Sequence, residues 1–236
     1  KETVAGFIKE HQKSNSDLTV MTALFDDPSG YGRIVKDDQG DLIAIVEEKD
    51  ADLETRKIKE INSGVNCIDS ELLKGFLNNM DKNNAQGEYY LTDIIEFAVK
   101  KDKKINTYTV QDSEEIIGIN TRKQQAKAEK VLRNRIIDQH LTNGVTIIDP
   151  DTTFIDAEVE IDQDVTIYPF NYLEGKTKIA KKTVINQNCK VKNSVIEENV
   201  EILSNTIIKE SKVGAGTNVG PFAYLRPGSI VEENCK

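Results

Sequence analysis

The first candidate ligand-binding stretch of this sequence runs from Asp26 to Val35 and reads DDPSGYGRIV. It places Gly30 and Gly32 on either side of Tyr31. Glycine permits positive φ and lets a small polar ligand approach the backbone closely, which suits a binding loop. A plain turn before a strand is the competing interpretation, because turns are rich in the same residue types.

A second candidate stretch, NNAQGEYYLTD, spans residues 83–93. It places Gly87, Glu88 and two tyrosines where a loop enters a predicted helix. Glu88 is explained equally well as a carboxylate in the first turn of that helix, where it faces the positive end of the helix dipole. Each stretch is therefore a candidate binding site by itself. Whether the two stretches lie together depends on the secondary-structure elements that position them.

Composition excludes several classes of function. The formal net charge of −9 over 236 residues disfavours non-specific nucleic-acid binding, which needs a basic surface. No apolar run approaches the roughly 18 residues of a membrane span, and the N terminus is no signal peptide. Cys67, Cys189 and Cys235 lie far apart, which predicts reduced thiols in a cytoplasmic protein. His11 and His140 are the only histidines, so a histidine base has little support.

The first 120 residues, which must position both stretches, alternate between helical and strand-like patterns. Apolar residues recur at helical spacing from Val4 to His11 and alternate along residues 18–25. Two apolar runs joined by a turn at residues 37–40 predict a hairpin. The further predicted elements are a strand at 64–68, helices at 72–80 and 90–99, and a strand at 105–110. This alternation predicts an α/β layer, mostly parallel, with the hairpin inserted.

A continuously helix-compatible segment follows from Thr121 to about Leu141, and Gly144 suits a C-terminal cap. The segment separates two halves whose apolar patterns differ. It is therefore predicted to be a connecting helical arm.

The second half of the chain changes to a six-residue period. Aliphatic residues recur in one run and, after a short insertion, in a second run, and smaller or β-branched residues stand two places before several of them. The first run is Ile155, Ile161, Ile167, Leu173, Ile179, Ile185 and Val191; the second is Ile207, Val213, Val219, Leu225 and Val231; the smaller residues are Val159, Val165, Thr177, Thr183 and Cys189.

A hexapeptide period predicts a parallel β-helix, and in its left-handed form three flat faces make one coil of about eighteen residues, with each aliphatic pointing inward. The coils stack at about 4.8 Å. Unrelated strands of a sandwich would need turn signals every 8–12 residues or so. Because an open last coil leaves unpaired backbone groups, and this chain stops in mid-coil at Lys236, we expect further chain beyond it.

Taken together, these features resemble one family, the bacterial bifunctional N-acetylglucosamine-1-phosphate uridyltransferase and glucosamine-1-phosphate N-acetyltransferase. The resemblance covers essentially the whole chain. It is carried by the motifs GYGRIV, IVEEKDA, EINSGV, NNAQGEYYLTDII, GINTR, NGVTIIDP and VGPFAYLRPG. It implies the C-terminal part of a Rossmann-like uridyltransferase (pyrophosphorylase) domain at residues 1–120, a helical arm at 121–144, and the first coils of a left-handed β-helix acetyltransferase domain at 145–236.

The resemblance also implies an activity. The family acetylates glucosamine-1-phosphate from acetyl-CoA, and it joins UTP to N-acetylglucosamine-1-phosphate with Mg²⁺. The product, UDP-N-acetylglucosamine, is a precursor of cell-wall peptidoglycan. Members are cytoplasmic homotrimers held together by their β-helices, so the implied partners are a nucleotide sugar, a sugar phosphate and further copies of the chain.

Four residues of the first half match family positions that bind the nucleotide sugar. Gly32 resembles a backbone contact to the sugar, and Glu47 and Asn62 resemble residues that hydrogen-bond the N-acetylglucosamine. Asn120 resembles a Mg²⁺ ligand and nucleotide-sugar contact, and a neutral oxygen suits such a hard cation. The ordinary explanations are a solvated charge run at 47–50 for Glu47, a turn for Asn62, a helix N-cap for Asn120 and a fold requirement for Gly32.

In the β-helix, Arg226 of the LRPG motif resembles the arginine that holds the sugar phosphate in the acetyltransferase site. A planar guanidinium suits bidentate phosphate binding. The competing interpretation is an exposed turn residue before Pro227.

The chain also departs from the family pattern. It contains no glycine-rich loop of the form LAAGxGTRM, whose backbone cradles the nucleotide phosphates. The aspartate that shares Mg²⁺ with Asn120, and the histidine base of the acetyltransferase with its lysine, tyrosine and asparagine neighbours, are expected outside this sequence. We therefore predict two half-present active sites, no assignable catalytic residue, and little or no activity from this chain alone.

Two other interpretations remain open. One is a glucose-1-phosphate adenylyl- or thymidylyltransferase with a β-helix, which the NNAQGEYYLTD loop and the long arm disfavour. The other is a non-catalytic trimeric β-helix scaffold with a vestigial α/β part, which the completeness of the sugar-contact motifs disfavours.

Overall fold

The structure is a computed structural model that describes residues 2–82 and 84–236. Asn83, the first residue of the second candidate stretch, lies outside the described residues. The chain divides into two compact units, residues 1–120 and residues 121–236.

The first unit contains three helices, five strands and three short 3-10 turns among its described residues. The helices are α1 (Glu2–Ser14), α2 (Ser70–Leu77) and α3 (Ile94–Lys100). The strands are β1 (Leu18–Leu24), β2 (Arg33–Lys36), β3 (Leu42–Val46), β4 (Glu60–Ile68) and β5 (Ile105–Thr109). The 3-10 turns are Thr55–Lys57, Leu91–Asp93 and Ser113–Ile116.

These strands form one mixed sheet in the order β3-β2-β4-β1-β5. The pairs β1–β4, β2–β3 and β2–β4 are antiparallel, and β5 runs parallel to β1. The expectation of a mostly parallel sheet is therefore wrong for the described residues. Parallel neighbours need a long and usually helical crossover, and α2 and α3 intervene only between β4 and β5.

Strand β1 forms the centre of the core in the first unit. Its first six residues, Leu18–Ala23, are all buried, and alternate side chains enter two different apolar clusters. One cluster contains Leu18, Val20, Leu72, Phe76 and Ile95, and the other contains Phe7, Met21, Ala23 and Ile61. A strand that is covered on both faces has no need for polar alternation, which explains the run LTVMTA.

The second unit begins with the predicted arm, helix α4 (Arg122–Thr142). The helix is capped by Thr121, whose side chain accepts a hydrogen bond from the Gln124 backbone N–H. At its end Gly144 adopts φ +88°, and the Val145 N–H donates to the His140 carbonyl at 3.1 Å. This is a Schellman motif, so the glycine cap is confirmed. None of the helices among the described residues is long and apolar enough to cross a membrane.

The rest of the second unit is a parallel β-helix, as the six-residue period predicts. Fifteen short strands form three parallel sheets of five strands each, in agreement with the expected left-handed β-helix. The strands are β6 (Thr146–Ile147), β7 (Phe154–Ile155), β8 (Glu160–Ile161), β9 (Thr166–Ile167), β10 (Tyr172–Glu174), β11 (Lys178–Ile179), β12 (Val184–Ile185), β13 (Lys190–Lys192), β14 (Val195–Ile196), β15 (Glu201–Ile202), β16 (Ile207–Lys209), β17 (Lys212–Val213), β18 (Asn218–Val219), β19 (Tyr224–Leu225) and β20 (Ile230–Val231), with a 3-10 turn at Pro150–Thr152.

The predicted inward position of Ile207 is wrong by one residue. Ile208 is fully buried in the coil interior, whereas Ile207 is 39% exposed. The cause is a pair of turns, near Asn193 and Glu210, that each contain one residue fewer than a six-residue repeat requires. The backbone adopts positive φ at both turns. The inward ladder therefore runs through Ile196, Ile202 and Ile208 without the inferred insertion.

The residues two places before the inward aliphatics are confirmed as interior. Val159, Val165, Thr177, Thr183 and Cys189 are all buried. The same register holds Asn171, Ser194, Thr206, Ser211 and Thr217. Except at Thr206, their polar atoms link successive turns of the chain. The Asn171 side-chain oxygen, for example, accepts from the Cys189 N–H at 2.7 Å, which satisfies a backbone group inside the coil.

Two equivalent threonines of this ladder should respond oppositely to replacement by valine. Thr206 Oγ1 is buried without a hydrogen-bond partner among the described residues, whereas Thr217 Oγ1 donates to the Glu232 carbonyl and accepts from the Cys235 N–H. Thr206→Val should raise the free energy of unfolding by about 1 kcal/mol, and the matched variant Thr217→Val should lower it by about 1 kcal/mol. Urea unfolding of both variants measures this, and equal effects would contradict the assignment.

Candidate functional site

Gly32 and Glu47 lie opposite each other where strands β2 and β3 meet their loops. Arg33 pairs with Val46 in this antiparallel hairpin, which brings the two flanking residues together. A Cβ atom on Gly32 would lie 3.0 Å from Ile45 Cγ2 and 3.3 Å from Glu47 Oε1. A side chain at position 32 would therefore press on Ile45 and on the Glu47 carboxylate, whereas Gly30 is the glycine of this loop that adopts positive φ, at +84°.

Asn62 reaches the same place through a β-bulge in strand β4. The pairing of β1 with β4 slips after Val20 and resumes where Thr22 faces Asn62, so Met21 faces residues 63–65. The Asn62 N–H donates to the Gly32 carbonyl at 2.9 Å, and its side-chain oxygen accepts from the Gly64 N–H at 3.0 Å. Bulges redirect side chains beside functional sites. The structure thus brings Gly32, Glu47 and Asn62 together.

The described part of the second candidate stretch, residues 84–93, packs against the same turn. The Thr92 hydroxyl donates to Glu47 Oε1 at 3.2 Å, and the Ala85 N–H donates to the Asp50 carboxylate at 2.8 Å. Sequence reasoning missed Thr92, because no local pattern connects it with a carboxylate 45 residues away. The two candidate stretches therefore belong to one site.

Negative charge accumulates around this site. Burial raises the pKa of Asp93, and the nearby carboxylates of Glu96, Asp81, Asp50 and Glu47 raise it further. Ionisation of Asp93 is thus less favourable in the folded protein than in the unfolded chain. Such surroundings favour a neutral, hydroxyl-bearing group or a cation over a phosphate at this position.

The raised pKa of Asp93 predicts a pH-dependent stability effect. A carboxyl group whose pKa is higher in the folded state than in the unfolded state lowers the free energy of unfolding at pH values above its unfolded-state pKa. It has no effect at low pH, where the group is protonated in both the folded and the unfolded state. Asp93→Asn should therefore raise the midpoint of thermal unfolding at neutral pH, and the gain should vanish below about pH 4. The control is Asp38→Asn in the exposed β2–β3 turn; a gain from Asp93→Asn that persists at low pH would contradict the electrostatic cause.

A buried ion pair fixes the loop that carries Gly32. Arg33 is buried, and its Nη2 donates to Glu48 Oε2 at 2.7 Å while its Nη1 donates to the Tyr31 carbonyl. The Gly30 N–H also donates to Glu48 Oε2, at 3.3 Å. Burial acts to raise the pKa of Glu48, but the hydrogen bonds from Arg33 and Gly30 outweigh it and hold that pKa below its ordinary value.

Asn120 belongs to a segment that contacts the same loop. It is exposed and lies two residues after Gly118, whose N–H donates to the Tyr31 hydroxyl at 3.0 Å. The described residues contain no group of three or more histidine, cysteine or carboxylate side chains that could hold a metal ion. Mg²⁺ needs no such cluster, because it is commonly held by one or two protein oxygens, water and substrate phosphates. The amide oxygen of Asn120 fits that role.

Arg226 lies in the second unit, in the turn between β19 and β20. Its side chain is exposed, while its carbonyl accepts hydrogen bonds from the Ser211 hydroxyl at 3.0 Å and the Ser229 hydroxyl at 2.7 Å. The backbone of this turn is therefore fixed, and the guanidinium is accessible to a ligand.

The fold, an α/β unit with a mixed sheet followed by a parallel β-helix, agrees with the class predicted from the motifs. Residues 151–236 match the family described as GMPPB C-terminal domain. The whole chain is similar to the bifunctional protein GlmU of Clostridium novyi (49% identity, 51% of that protein), Acetivibrio thermocellus (47% and 51%) and Corynebacterium diphtheriae (45% and 48%). The resemblance is confirmed: this chain is a homologue of the bifunctional GlmU proteins, and it spans about half their length.

Proposed function

We propose that this chain takes part in the synthesis of UDP-N-acetylglucosamine and that its first unit binds the N-acetylglucosamine end of that nucleotide sugar. The observation that carries the proposal is the convergence of Gly32, Glu47 and Asn62, three motif residues from separate strand ends, at one place. Similarity to GlmU proteins along the whole chain supports it.

Each residue of the site has a distinct proposed role. The Glu47 carboxylate accepts hydrogen bonds from the sugar, the Asn62 amide can donate and accept, and Gly32 lets the sugar lie against the backbone. The Asp50 and Asp93 carboxylates nearby disfavour a phosphate at this end of the ligand. The sugar therefore enters this site, and the phosphates lie away from it.

Asn120 is the proposed Mg²⁺ ligand. When bound, Mg²⁺ would offset negative charge on the phosphate oxygens during uridylyl transfer from UTP. The Asn120 amide oxygen would hold the cation beside the loop that carries Gly32. The role of this chain is thus to bind and orient the sugar next to the cation.

The second unit has a separate proposed role. Arg226 holds the phosphate of glucosamine-1-phosphate. The sugar amine accepts the acetyl group of acetyl-CoA: an amide bond forms, the thioester bond breaks, and the amine proton leaves with CoA as its free thiol. The product of that step, N-acetylglucosamine-1-phosphate, is the acceptor for uridylyl transfer. Three copies associate through their β-helices, and the reactions supply peptidoglycan precursor in the cytoplasm.

We expect this chain to retain ligand binding but not efficient uridylyl transfer. Its 236 residues contain no LAAGxGTRM-like loop. Uridylyl transfer depends on positioned donors that stabilise charge on the phosphates. We therefore propose that the chain binds the nucleotide sugar but transfers uridylyl groups weakly or not at all.

Thermal unfolding in the presence of different nucleotide sugars tests the proposal. UDP-N-acetylglucosamine should raise the midpoint more than UDP-glucose, ADP-glucose or dTDP-glucose at the same concentration, because only its N-acetyl group completes the contacts to Glu47 and Asn62. A larger shift with a glucose nucleotide would favour a different sugar-1-phosphate nucleotidyltransferase. No shift with any of them, in a chain that sediments as a trimer, would favour a non-catalytic scaffold.

A further inference from the structure

Tyr31 links two segments of the candidate site. Its carbonyl accepts a hydrogen bond from the buried Arg33 guanidinium, and its hydroxyl accepts from the Gly118 N–H at 3.0 Å. Its ring packs edge-on against Phe25, with ring centroids 5.0 Å apart. One rigid side chain thus joins the loop of Gly32 to the segment that leads to Asn120.

The contact with Gly118 is a packing contact as well as a hydrogen bond. A Cβ atom on Gly118 would lie 3.5 Å from both Cε1 and Oη of Tyr31, which is ordinary van der Waals distance. The segment therefore rests on the phenol ring. A shift of residues 118–120 must move the ring or break the hydrogen bond.

The backbone end of Tyr31 is equally restrained. The Arg33 and Glu48 pair holds the loop from Gly30 to Arg33, and the Gly32 carbonyl accepts from the Asn62 N–H at 2.9 Å. The sugar-binding residues and the phenol are consequently parts of one hydrogen-bonded assembly. Occupancy at one end restrains the conformations that are available at the other end.

We propose that Tyr31 is a positioning residue that couples the sugar site at Gly32, Glu47 and Asn62 to the cation site at Asn120. This inference rests on the proposed function. Ligand and cation then bind with positive cooperativity, because each fixes the Tyr31–Gly118 contact that the other needs. Tyr31 touches neither reactant in this account, and it acts through the two segments that it joins.

Tyr31→Phe tests the coupling, since it removes the hydroxyl and keeps the ring. In calorimetric titrations, Mg²⁺ should strengthen the binding of UDP-N-acetylglucosamine to the unaltered chain by about fivefold or more. Tyr31→Phe should reduce that enhancement about fivefold and leave the affinity without Mg²⁺ nearly unchanged. The matched control is Tyr108→Phe in the same unit, whose ring packs against Phe7 with centroids 5.8 Å apart.

A second measurement needs no ligand. Hydrogen exchange of the Gly118 amide should be about fivefold faster in Tyr31→Phe than in the unaltered chain, and it should be unchanged in Tyr108→Phe. Unchanged exchange at Gly118, or an undiminished Mg²⁺ effect in Tyr31→Phe, would overturn the coupling. Failure of the unaltered chain to bind UDP-N-acetylglucosamine would overturn the proposed function, and faster exchange in Tyr31→Phe would still support the physical link between the two segments.

Discussion

Replacing Glu47 by glutamine is expected to weaken the binding of UDP-N-acetylglucosamine by about 10- to 100-fold. The carboxylate lies against Gly32, and its Oε1 also accepts from the Thr92 hydroxyl. Hydrogen bonds to a charged acceptor contribute about 1.5–3 kcal/mol, and glutamine offers one neutral oxygen in place of two charged ones. Calorimetric titration of the variant gives the change in Kd directly.

The control for this variant is Glu54→Gln, which neutralises an exposed carboxylate that pairs with Lys57 in the short 3-10 turn. It changes the net charge of the unit by the same amount and should leave Kd within a factor of about two, because exposed charges interact weakly through solvent. Both variants should unfold at nearly the same temperature as the unaltered chain. Equal affinities for Glu47→Gln and Glu54→Gln would remove Glu47 from the sugar site.

Removing Glu48, the next residue, should instead destabilise the fold. Glu48→Ala leaves the buried Arg33 guanidinium without its carboxylate and leaves the Gly30 N–H without its acceptor. Breaking a buried ion pair by removing one partner costs about 3–5 kcal/mol, and we expect about 3 kcal/mol because Glu48 is partly exposed. Equilibrium unfolding in urea measures the loss.

A surface ion pair provides the comparison for Glu48→Ala. Glu160→Ala removes the partner of Lys178 in a pair whose side chains are 67% and 59% exposed, so its cost should stay below about 1 kcal/mol. The double variant Arg33→Met with Glu48→Ala should recover part of the loss, because it removes the unpaired buried charge. Similar costs for Glu48→Ala and Glu160→Ala would show that the Arg33 pair does not fix the loop.

The different contacts of Glu47 and Glu48 could not be predicted from the sequence pattern alone. The run EEKD presents two adjacent carboxylates, and the sequence pattern alone treats them alike. In the structure Glu47 contacts Gly32 and Thr92, whereas Glu48 pairs with the buried Arg33. The motif match selected Glu47, but the supporting role of Glu48 depends on which side of the hairpin each carboxylate faces.

The β-helix was predictable because its coils repeat one burial pattern, and the inward aliphatic residues therefore recur about every six residues in the sequence. The phase after Val191 was not predictable in the same way. Ile207 and Ile208 are both aliphatic, and only the short turns near Asn193 and Glu210 decide that Ile208 enters the core. Turn length is set by backbone conformation, which the apolar pattern does not record.

The site residues that lie in short contiguous motifs were predictable from the sequence. The contacts between residues far apart in the sequence were not. Gly32, Glu47 and Asn62 follow from short motifs, and the structure places them together. Thr92 and the Tyr31–Gly118 contact emerge only after the loop 84–93 and the segment after β5 fold onto the hairpin. The mixed sheet was likewise missed, since strand direction depends on connections that composition does not reveal.

Calorimetric titration with UDP-N-acetylglucosamine, with and without Mg²⁺, shows whether this chain has a functional sugar site. We expect saturable one-site binding that Mg²⁺ strengthens, because Gly32, Glu47 and Asn62 form the sugar site beside the segment of Asn120. No saturable binding at millimolar nucleotide sugar would contradict the claim that these residues form a functional sugar site in this chain.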